Sequence, residues 1–468
     1  MKNKNNKYWF PIVGIALSLM LTSVTASSLP QTTTPPAPMS SRGDYSGTLR
    51  LYVVEPVSRW NMYNGQPYHF GLLGFAAQTA VTIPGSTIYN HNFSWSGSFT
   101  NTNIMVIAAL FNSQGHQAYA YPPSGNPFTA YYVDATAAAK PDQTGYNQVK
   151  TGFTHTVFAE EGTATWCPYC PSMGQYLDSV YESGDYPFYF AALIDDKSPG
   201  ADARLAGDYN IYGFPTSFFD GGYKVLVGGQ SSDSMIRNDI KACGTRAVAN
   251  LNFSVALTIP SSGNLNIHVA IVNNDPATPT APSGPTSGLV NFPYNFTAMT
   301  TDIKNSPLSY MFDWGDGTTS EWLGPFNSGV SATANHSWIH SGTFAVKVKA
   351  QDNEGHESSW SSAHTIAISF PTLDIAVAAK NGIVEVTVTN PYTQSFSHLN
   401  WNIIENGGLL GLINKNTNGS IASLQAGEST TVQSVKVFGL GGISITVVVE
   451  STTITKQGFV IGPFLFLK

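Results

Sequence analysis

The sequence predicts a multidomain, mostly β protein in which one α/β domain is flanked by β-sandwich domains. The chain has 468 residues, which corresponds to about three domains at roughly 150 residues each. Most apolar runs are short and are separated by Gly, Pro and Asn, a pattern that is typical of sandwiches. Only one region alternates strand-like with helix-like segments, which is typical of an α/β domain.

The composition excludes several classes of protein. Charged residues make up 11% of the chain, below the roughly 25% of typical soluble proteins. The 22 basic residues against 29 acidic ones do not provide the basic face of a nucleic-acid-binding protein, so no nucleic-acid partner is expected. Three cysteines are too few for a disulfide-stapled fold, and none of their spacings matches a zinc finger, so no metal site is expected.

The N-terminus has the pattern of an export signal. Three lysines precede an apolar run over residues 8–21, and Val-Thr-Ala at residues 24–26 resembles a cleavage site. We predict a signal peptide over residues 1–26. An uncleaved membrane anchor over residues 8–26 is the alternative, because the run nearly reaches the ~17 residues that span a bilayer. Either interpretation makes the rest of the chain extracytoplasmic, secreted or on the cell surface, where five sequons would permit glycosylation: Asn92, Asn252, Asn295, Asn335 and Asn418.

Changes of pattern set the remaining domain boundaries. In chain order the segments are a Pro/Thr-rich linker, a β-sandwich, the α/β domain, a β-hairpin, a second linker and two further β-sandwiches, over residues 27–44, 45–148, 149–246, 247–274, 275–287, 288–370 and 371–468. An isolated hairpin is marginally stable in water. One interpretation is therefore that it completes the first sandwich, which would make the α/β domain an insertion.

One motif carries reactive chemistry, Cys-Pro-Tyr-Cys at residues 167–170, between a strand-like and a helix-like segment. If Cys167 caps the helix, the helix dipole and free amides favour its thiolate and lower its pKa from ~8.5 toward ~3.5–7.5. An exposed thiolate attacks a foreign disulfide, and Cys170 then resolves the mixed disulfide. The alternatives are a structural disulfide, for which such a short loop is a poor staple, and half a zinc site. Cys243 and His155 do not supply the missing zinc ligands.

Residues 160–171 (EEGTATWCPYCP) and 212–222 (YGFPTSFFDGG) resemble the thioredoxin-like fold. The resemblance is closest to the exported outer-membrane-protein-28-related type. It implies that Gly-Phe-Pro-Thr at residues 213–216 is a cis-proline loop facing the dithiol, with an ordinary turn as the alternative. Phe214, Pro215 and Thr216 would then form a substrate-binding loop, in which the backbone of Phe214 pairs with an extended peptide and Pro215 keeps metals from the thiols.

The same resemblance implies roles for two residues before the dithiol. Trp166 matches the family tryptophan and is expected to shield the sulfur and support the substrate groove. Glu161 occupies the position of the buried acid of thioredoxins and would act as general base for Cys170, with a solvated turn residue as the alternative. The third cysteine, Cys243, is expected to be buried and inert, with cross-linking of subunits as the alternative.

The second half of the chain carries a different resemblance. Residues 310–318 (YMFDWGDGT) and 344–355 (FAVKVKAQDNEG) resemble the polycystic-kidney-disease (PKD) domain, which implies an extracellular spacer or adhesive module. Asp313 and Asp316 are expected to cap a turn, with calcium binding as the alternative. The last sandwich is expected to be immunoglobulin-like, without a catalytic constellation.

Together these features favour an exported thiol–disulfide oxidoreductase that acts on thiols or disulfides of other exported proteins. Such an enzyme needs no soluble cofactor, but it needs a redox partner that the sequence does not identify. The alternative is a cell-surface adhesion or structural protein in which the thioredoxin-like unit is a scaffold with little turnover.

Overall fold

The computed structural model describes residues 43–468, so the predicted signal peptide or anchor and almost all of the first linker lie outside the described residues. The described part of the chain is mostly β, as predicted, with 56% of its residues in strands and 10% in helices. Within the described part of the chain, no helix is both long and apolar enough to cross a membrane.

The first body, residues 43–274, contains both the first predicted sandwich and the α/β region. Its elements are β1 (Tyr45–Asn61), β2 (Pro67–Ile83), β3 (Ile88–Ser96), β4 (Met105–Tyr121), β5 (Gly125–Ala139), β6 (Gln143–Tyr146), β7 (Val157–Thr163), α1 (Cys170–Ser183), β8 (Phe188–Ile194), α2 (Pro199–Asp202), β9 (Thr216–Phe219), β10 (Lys224–Val227), α3 (Ser234–Gly244), β11 (Leu251–Ser261) and β12 (Asn264–Asn273). A π-helical turn, Ala203–Asp208, follows α2, and a 3-10 turn, Asp220–Gly222, follows β9.

One sheet joins the two regions that the sequence predicted as separate domains. Eight strands run in the order β10-β9-β7-β8-β2-β1-β4-β5. Strand β8 joins β2 through a short parallel pairing at Ala192 and Gly71, while β7 and β8 are parallel and β9 is antiparallel to β7. Pairings between distant segments leave no local mark on the sequence, so this junction was not predicted.

Strand β7 is buried on both faces, which places its side chains in two different environments. Helices α1 and α3 bury Leu177 and Ile240 in the core of the α/β region. On the opposite face, strands of the first sandwich supply the cover: the Tyr52 ring lies 4.9 Å from that of Phe158. Every residue of β7 is consequently buried.

A three-stranded sheet, β11-β12-β3, covers the outer face of the first sandwich. Its apolar side chains pack against Leu49, Leu51 and Val53 of β1, whereas Tyr52 and Val54 face the core of the α/β region. Alternate side chains of β1 therefore pack into two different apolar cores, one on each face of the sheet. The α/β region lies in the chain between β6 and β11, two strands that contact each other.

Two further β bodies follow. The first contains β13 (Ser287–Leu289), β14 (Tyr294–Ala298), β15 (Leu308–Asp313), β16 (Leu323–Phe326), β17 (Ala332–His336), β18 (Gly342–Asp352) and β19 (His364–Ser369). The second contains β20 (Asp374–Lys380), β21 (Ile383–Thr389), β22 (Phe396–Gly407), β23 (Ile413–Leu424), β24 (Ser429–Gln433), β25 (Gly439–Val449), β26 (Thr452–Gly462) and β27 (Phe464–Leu467), with a 3-10 turn at Leu409–Gly411. Each body has two sheets around its own apolar core.

The segment 275–287, predicted as a linker, belongs structurally to the first of these bodies. Its backbone follows β14: the N–H of Ala277 donates to the carbonyl of Thr301 at 3.0 Å, and Ser283 pairs with Thr297. The prolines of this segment lack an N–H and prevent a regular ladder. This segment therefore has the composition of a linker, although its backbone is hydrogen-bonded to the strand β14 region.

Candidate redox site

Cys167 and Cys170 form a disulfide beyond the carboxyl end of β7. Helix α1 begins at Cys170, with Tyr169 as its N-cap residue. The expectation that Cys167 caps the helix is therefore wrong. Cys167 lies in the preceding turn, where its N–H donates to the carbonyl of Ala164 at 3.0 Å. The physical reason is Pro168, because a residue before proline disfavours the helical conformation.

The disulfide is covered, although the sequence favoured an exposed dithiol. Cys167 is 2% exposed and Cys170 is 0% exposed, and both pack with Phe214. The adjoining side chains of Trp166 and Tyr169 are 50% and 72% exposed. Two exposed aromatic side chains thus adjoin a disulfide that is itself shielded from solvent.

The loop before β9 lies against this disulfide. The Phe214–Pro215 peptide bond is cis, and the Phe214 ring lies 5.8 Å from the ring of Trp166. Thr216 is buried, and its hydroxyl donates to the carbonyl of Gly213 at 2.8 Å. The structure therefore brings the predicted dithiol and the predicted substrate loop together.

Glu161 lies on the face of β7 that α1 covers. It is fully buried, and neither carboxylate oxygen has a hydrogen-bond partner among residues 43–468. Burial raises the pKa of Glu161 to about 8. A methyl group placed on Gly174 would lie 3.5 Å from its Oε1, and Gly174 follows Cys170 by four residues on the same helix face. The carboxyl group therefore lies beneath the start of α1 and is not a solvated turn residue.

Two residues that sequence reasoning missed hold the loop around the disulfide. Asp196 accepts hydrogen bonds from the N–H and hydroxyl of Thr165 at 2.9 and 2.5 Å. Partial burial raises the pKa of Asp196, but these bonds and the neighbouring Lys197 together outweigh burial and lower it overall. Asp196 follows β8, so its position beside β7 at the same sheet edge could have been recognised. Tyr68 of β2 donates to the carbonyl of Ala164 at 3.0 Å, a long-range contact without a sequence signal.

Within residues 43–468, neither His155 nor Cys243 belongs to a group of side chains with metal-compatible spacing. The His155 ring is buried, with Nε2 2.8 Å from an Asp220 carboxylate oxygen that also lies 3.4 Å from Arg246. Cys243 is fully buried without a disulfide, and burial raises its thiol pKa well above the usual value. A neutral, buried thiol is a poor nucleophile.

The acidic residues of the next body cap turns. Asp313 accepts from the N–H of Gly315 at 3.0 Å, and Asp316 accepts from the N–H of Thr318 at the same distance. Within the described residues, the group with metal-compatible spacing is Asp352, Glu354 and His356. In that group one Asp352 carboxylate oxygen already accepts hydrogen bonds from the backbone N–H groups of Glu354 and His356.

Comparison with known proteins identifies one region. The model of the PKD domain family matches residues 277–365, which begin inside the predicted linker. The PKD domain of an M14-like peptidase from Thermoplasmatales archaeon SCGC AB-540-F20 is 40% identical, with a match that covers 20% of this chain and 97% of that chain at a TM-score of 0.19. PKD domains are typical of extracellular proteins.

The remaining structural similarities are weak. Escherichia coli alpha-2-macroglobulin activated by porcine elastase is 11% identical, and the match covers 90% of this chain but 41% of that chain, with a TM-score of 0.19. The trypsin-activated form is 10% identical, with coverages of 90% and 39% and a TM-score of 0.18. These values do not support inference about architecture or activity. No curated protein matches the chain.

Proposed function

We propose that this chain, which contains a PKD domain at residues 277–365, is an exported thiol–disulfide oxidoreductase with a thioredoxin-like α/β region. The order of elements supports the assignment: a parallel pair, β7 and β8, encloses the helix that carries Cys170, and the antiparallel strands β9 and β10 and helix α3 follow. The sheet order β8-β7-β9-β10 is the one expected for a thioredoxin-like unit.

The observation that carries the proposal is the combination of groups around the disulfide. Phe214 of the proline loop packs against the cluster of Ala164, Cys167 and Cys170. The carboxyl group of Glu161, which has no hydrogen-bond partner among the described residues, lies beneath the helix that bears Cys170. A buried carboxyl without a partner costs stability, so its presence needs an explanation. Proton transfer during disulfide exchange supplies one.

Exchange with a client dithiol would transfer two electrons to the Cys167–Cys170 disulfide. A client thiolate attacks Cys167 Sγ and forms a mixed disulfide, while the bond between Cys167 and Cys170 breaks and Cys170 leaves with the electron pair. With a pKa of about 8, Glu161 is largely protonated at neutral pH and can donate the proton that Cys170 takes up. A second client thiolate then releases Cys167, so the client forms a disulfide and the Cys167–Cys170 pair is reduced.

The reverse sequence reduces a client disulfide, and Glu161 then accepts the proton of Cys170. Either direction requires a second protein dithiol or disulfide that restores the starting state. Residues 1–26 have the sequence pattern of an export signal, and PKD domains are typical of extracellular proteins. Both observations support a location outside the cytoplasm.

Trapping tests the proposal. In the Cys170→Ser variant a mixed disulfide on Cys167 cannot be resolved, so we expect covalent client adducts that reducing agent releases. The matched controls are Cys167→Ser, which should trap nothing on the Cys170 side under the same conditions, and Cys243→Ser, which should behave as wild type. A folded, reduced Cys170→Ser protein that forms no adduct with scrambled, disulfide-bonded polypeptides would contradict the proposal.

A second function is favoured by the covered disulfide and the large share of β structure. In this alternative the chain is a cell-surface adhesion or structural protein, and the α/β region is a scaffold. Slow alkylation of reduced Cys167 at low pH, together with no insulin reduction and no refolding of a scrambled substrate, would favour the scaffold over the enzyme.

A further inference from the structure

We infer that the tip of the β4–β5 hairpin, residues 121–127, determines the specificity of the redox site, with Tyr121 and Tyr212 contacting an apolar side chain beside the cysteine of an extended client polypeptide. This inference rests on the proposed function. The hairpin belongs to the strands of the first sandwich and lies outside the thioredoxin-like segment.

Reciprocal hydrogen bonds fasten the hairpin tip to the segment that precedes the proline loop. The Asn126 amide donates to the carbonyl of Asn210 at 3.0 Å, and the Asn210 amide donates to the carbonyl of Pro127 at 3.1 Å. Both asparagines have left-handed backbone conformations, with φ of 51° and 48°, which asparagine tolerates better than most residues. The position of residues 210–215 therefore depends on the hairpin.

An aromatic pair extends this contact to the surface. The ring centroids of Tyr121 and Tyr212 lie 4.3 Å apart, and the two side chains are 47% and 38% exposed. Tyr212 precedes Phe214 by two residues, which spans at most ~7 Å of backbone, and Phe214 packs on the disulfide. The pair therefore lies next to the proline loop, whose Phe214 ring also lies 5.8 Å from the half-exposed Trp166 ring.

The chemistry of this surface defines the occupant. Because the disulfide is 2% exposed or less, a client whose thiol exchanges with Cys167 comes into contact with the exposed side chains that adjoin it. Half-exposed aromatic rings provide apolar area at low entropic cost and are enriched where proteins bind partners. We therefore assign the Tyr121–Tyr212 pair to an apolar or aromatic side chain near the client cysteine, rather than to glutathione or another small thiol.

The test measures second-order rate constants for reaction of the oxidised full chain with three thiols. These are an unstructured peptide with Phe residues flanking its cysteine, the same peptide with Ser in place of Phe, and glutathione. For Tyr121→Ala we expect the rate constant for the Phe peptide to fall by about 2- to 10-fold, the range that one aromatic contact provides. The rate constants for the Ser peptide and for glutathione should change by less than about twofold.

Two further variants separate recognition from a general structural effect. Tyr121→Phe keeps the ring and should retain the wild-type preference for the Phe peptide. Asn126→Gly keeps the left-handed backbone but removes the amide, and should lower the ratio of the Phe-peptide to the Ser-peptide rate constant. Equal losses for all three thiols in Tyr121→Ala, or no loss for any, would overturn the inference. If the wild-type disulfide reacted with no thiol at all, the proposed function itself would fail, and this inference with it.

Discussion

Two adjacent glutamates of strand β7 lie on opposite faces of the strand and differ in their hydrogen-bond partners. Glu160 faces the strands of the first sandwich, where its carboxylate accepts from the Tyr52 hydroxyl at 2.8 Å and from Arg204 at 2.8 and 2.9 Å. Glu161 faces α1, with no hydrogen-bond partner in the described part of the chain. Both residues are fully buried. The difference shows that burial alone does not determine whether an acid is charged.

The pKa values of the two acids follow from these surroundings. Burial raises the pKa of Glu160, but Arg204, the Tyr209 hydroxyl and Arg50 together outweigh that effect and lower it overall. For Glu161, burial acts unopposed and raises the pKa to about 8. The first acid therefore stabilises the fold as a permanent ion, whereas the second can exchange a proton near neutral pH.

The largest expected effect is a loss of folding stability when Glu160 is replaced. Glu160→Gln removes the buried carboxylate partner of Arg204 and leaves only the partly exposed Asp208, 2.7 Å away. Loss of one partner of a buried ion pair costs about 3–5 kcal/mol. Urea unfolding should show this decrease in the free energy of unfolding. The double variant Glu160→Met/Arg204→Met should recover much of it, because removing both charges avoids the uncompensated ion. A single variant as stable as wild type would show that the ion pair is not structural.

Glu161 is expected to make the folding stability depend on pH. Between its ordinary pKa of 4.5 and its folded pKa of about 8, the folded protein binds a proton that the unfolded chain releases. Proton binding by Glu161 therefore stabilises the folded state fully below about pH 4.5, and this stabilisation is lost as the pH rises toward 8. Glu161→Gln, which cannot ionise, should be more stable than wild type at pH 8, with a difference that shrinks toward pH 5.

The matched control is Glu160→Gln, which should keep the wild-type slope over this pH range despite its lower stability. Glu161→Gln should also react more slowly with client thiols in the proposed exchange. Identical pH slopes for wild type and Glu161→Gln in urea unfolding would show that Glu161 is not the titrating group.

The smallest expected effect concerns the third cysteine. Cys243 is fully buried in the core that α3 shares with β7, so Cys243→Ala removes one buried sulfur and should cost about 1 kcal/mol. Peptide-exchange rates should be unchanged, since the sulfur has no access to solvent. A large change in those rates would mean that Cys243 communicates with the redox site.

The sequence alone determined the features that are encoded by neighbouring residues. The Cys-Pro-Tyr-Cys motif predicted the Cys167–Cys170 disulfide, and the segments around Asp313 and Asn353 predicted the PKD domain, because a turn or a strand is specified by residues close in the chain. Period-two alternation likewise predicted a mostly β protein.

Only the tertiary structure decided what lies next to these features. The short β2–β8 pairing merges two predicted domains into one sheet, and the Tyr121 ring reaches Tyr212 from a distant hairpin. Glu160 and Glu161 are adjacent residues of the same type, yet Glu160 pairs with Arg204, whereas Glu161 lies beside Gly174 without a hydrogen-bond partner among the described residues. Burial, charge and access depend on groups that approach through space, and a linear pattern does not specify which distant segment arrives.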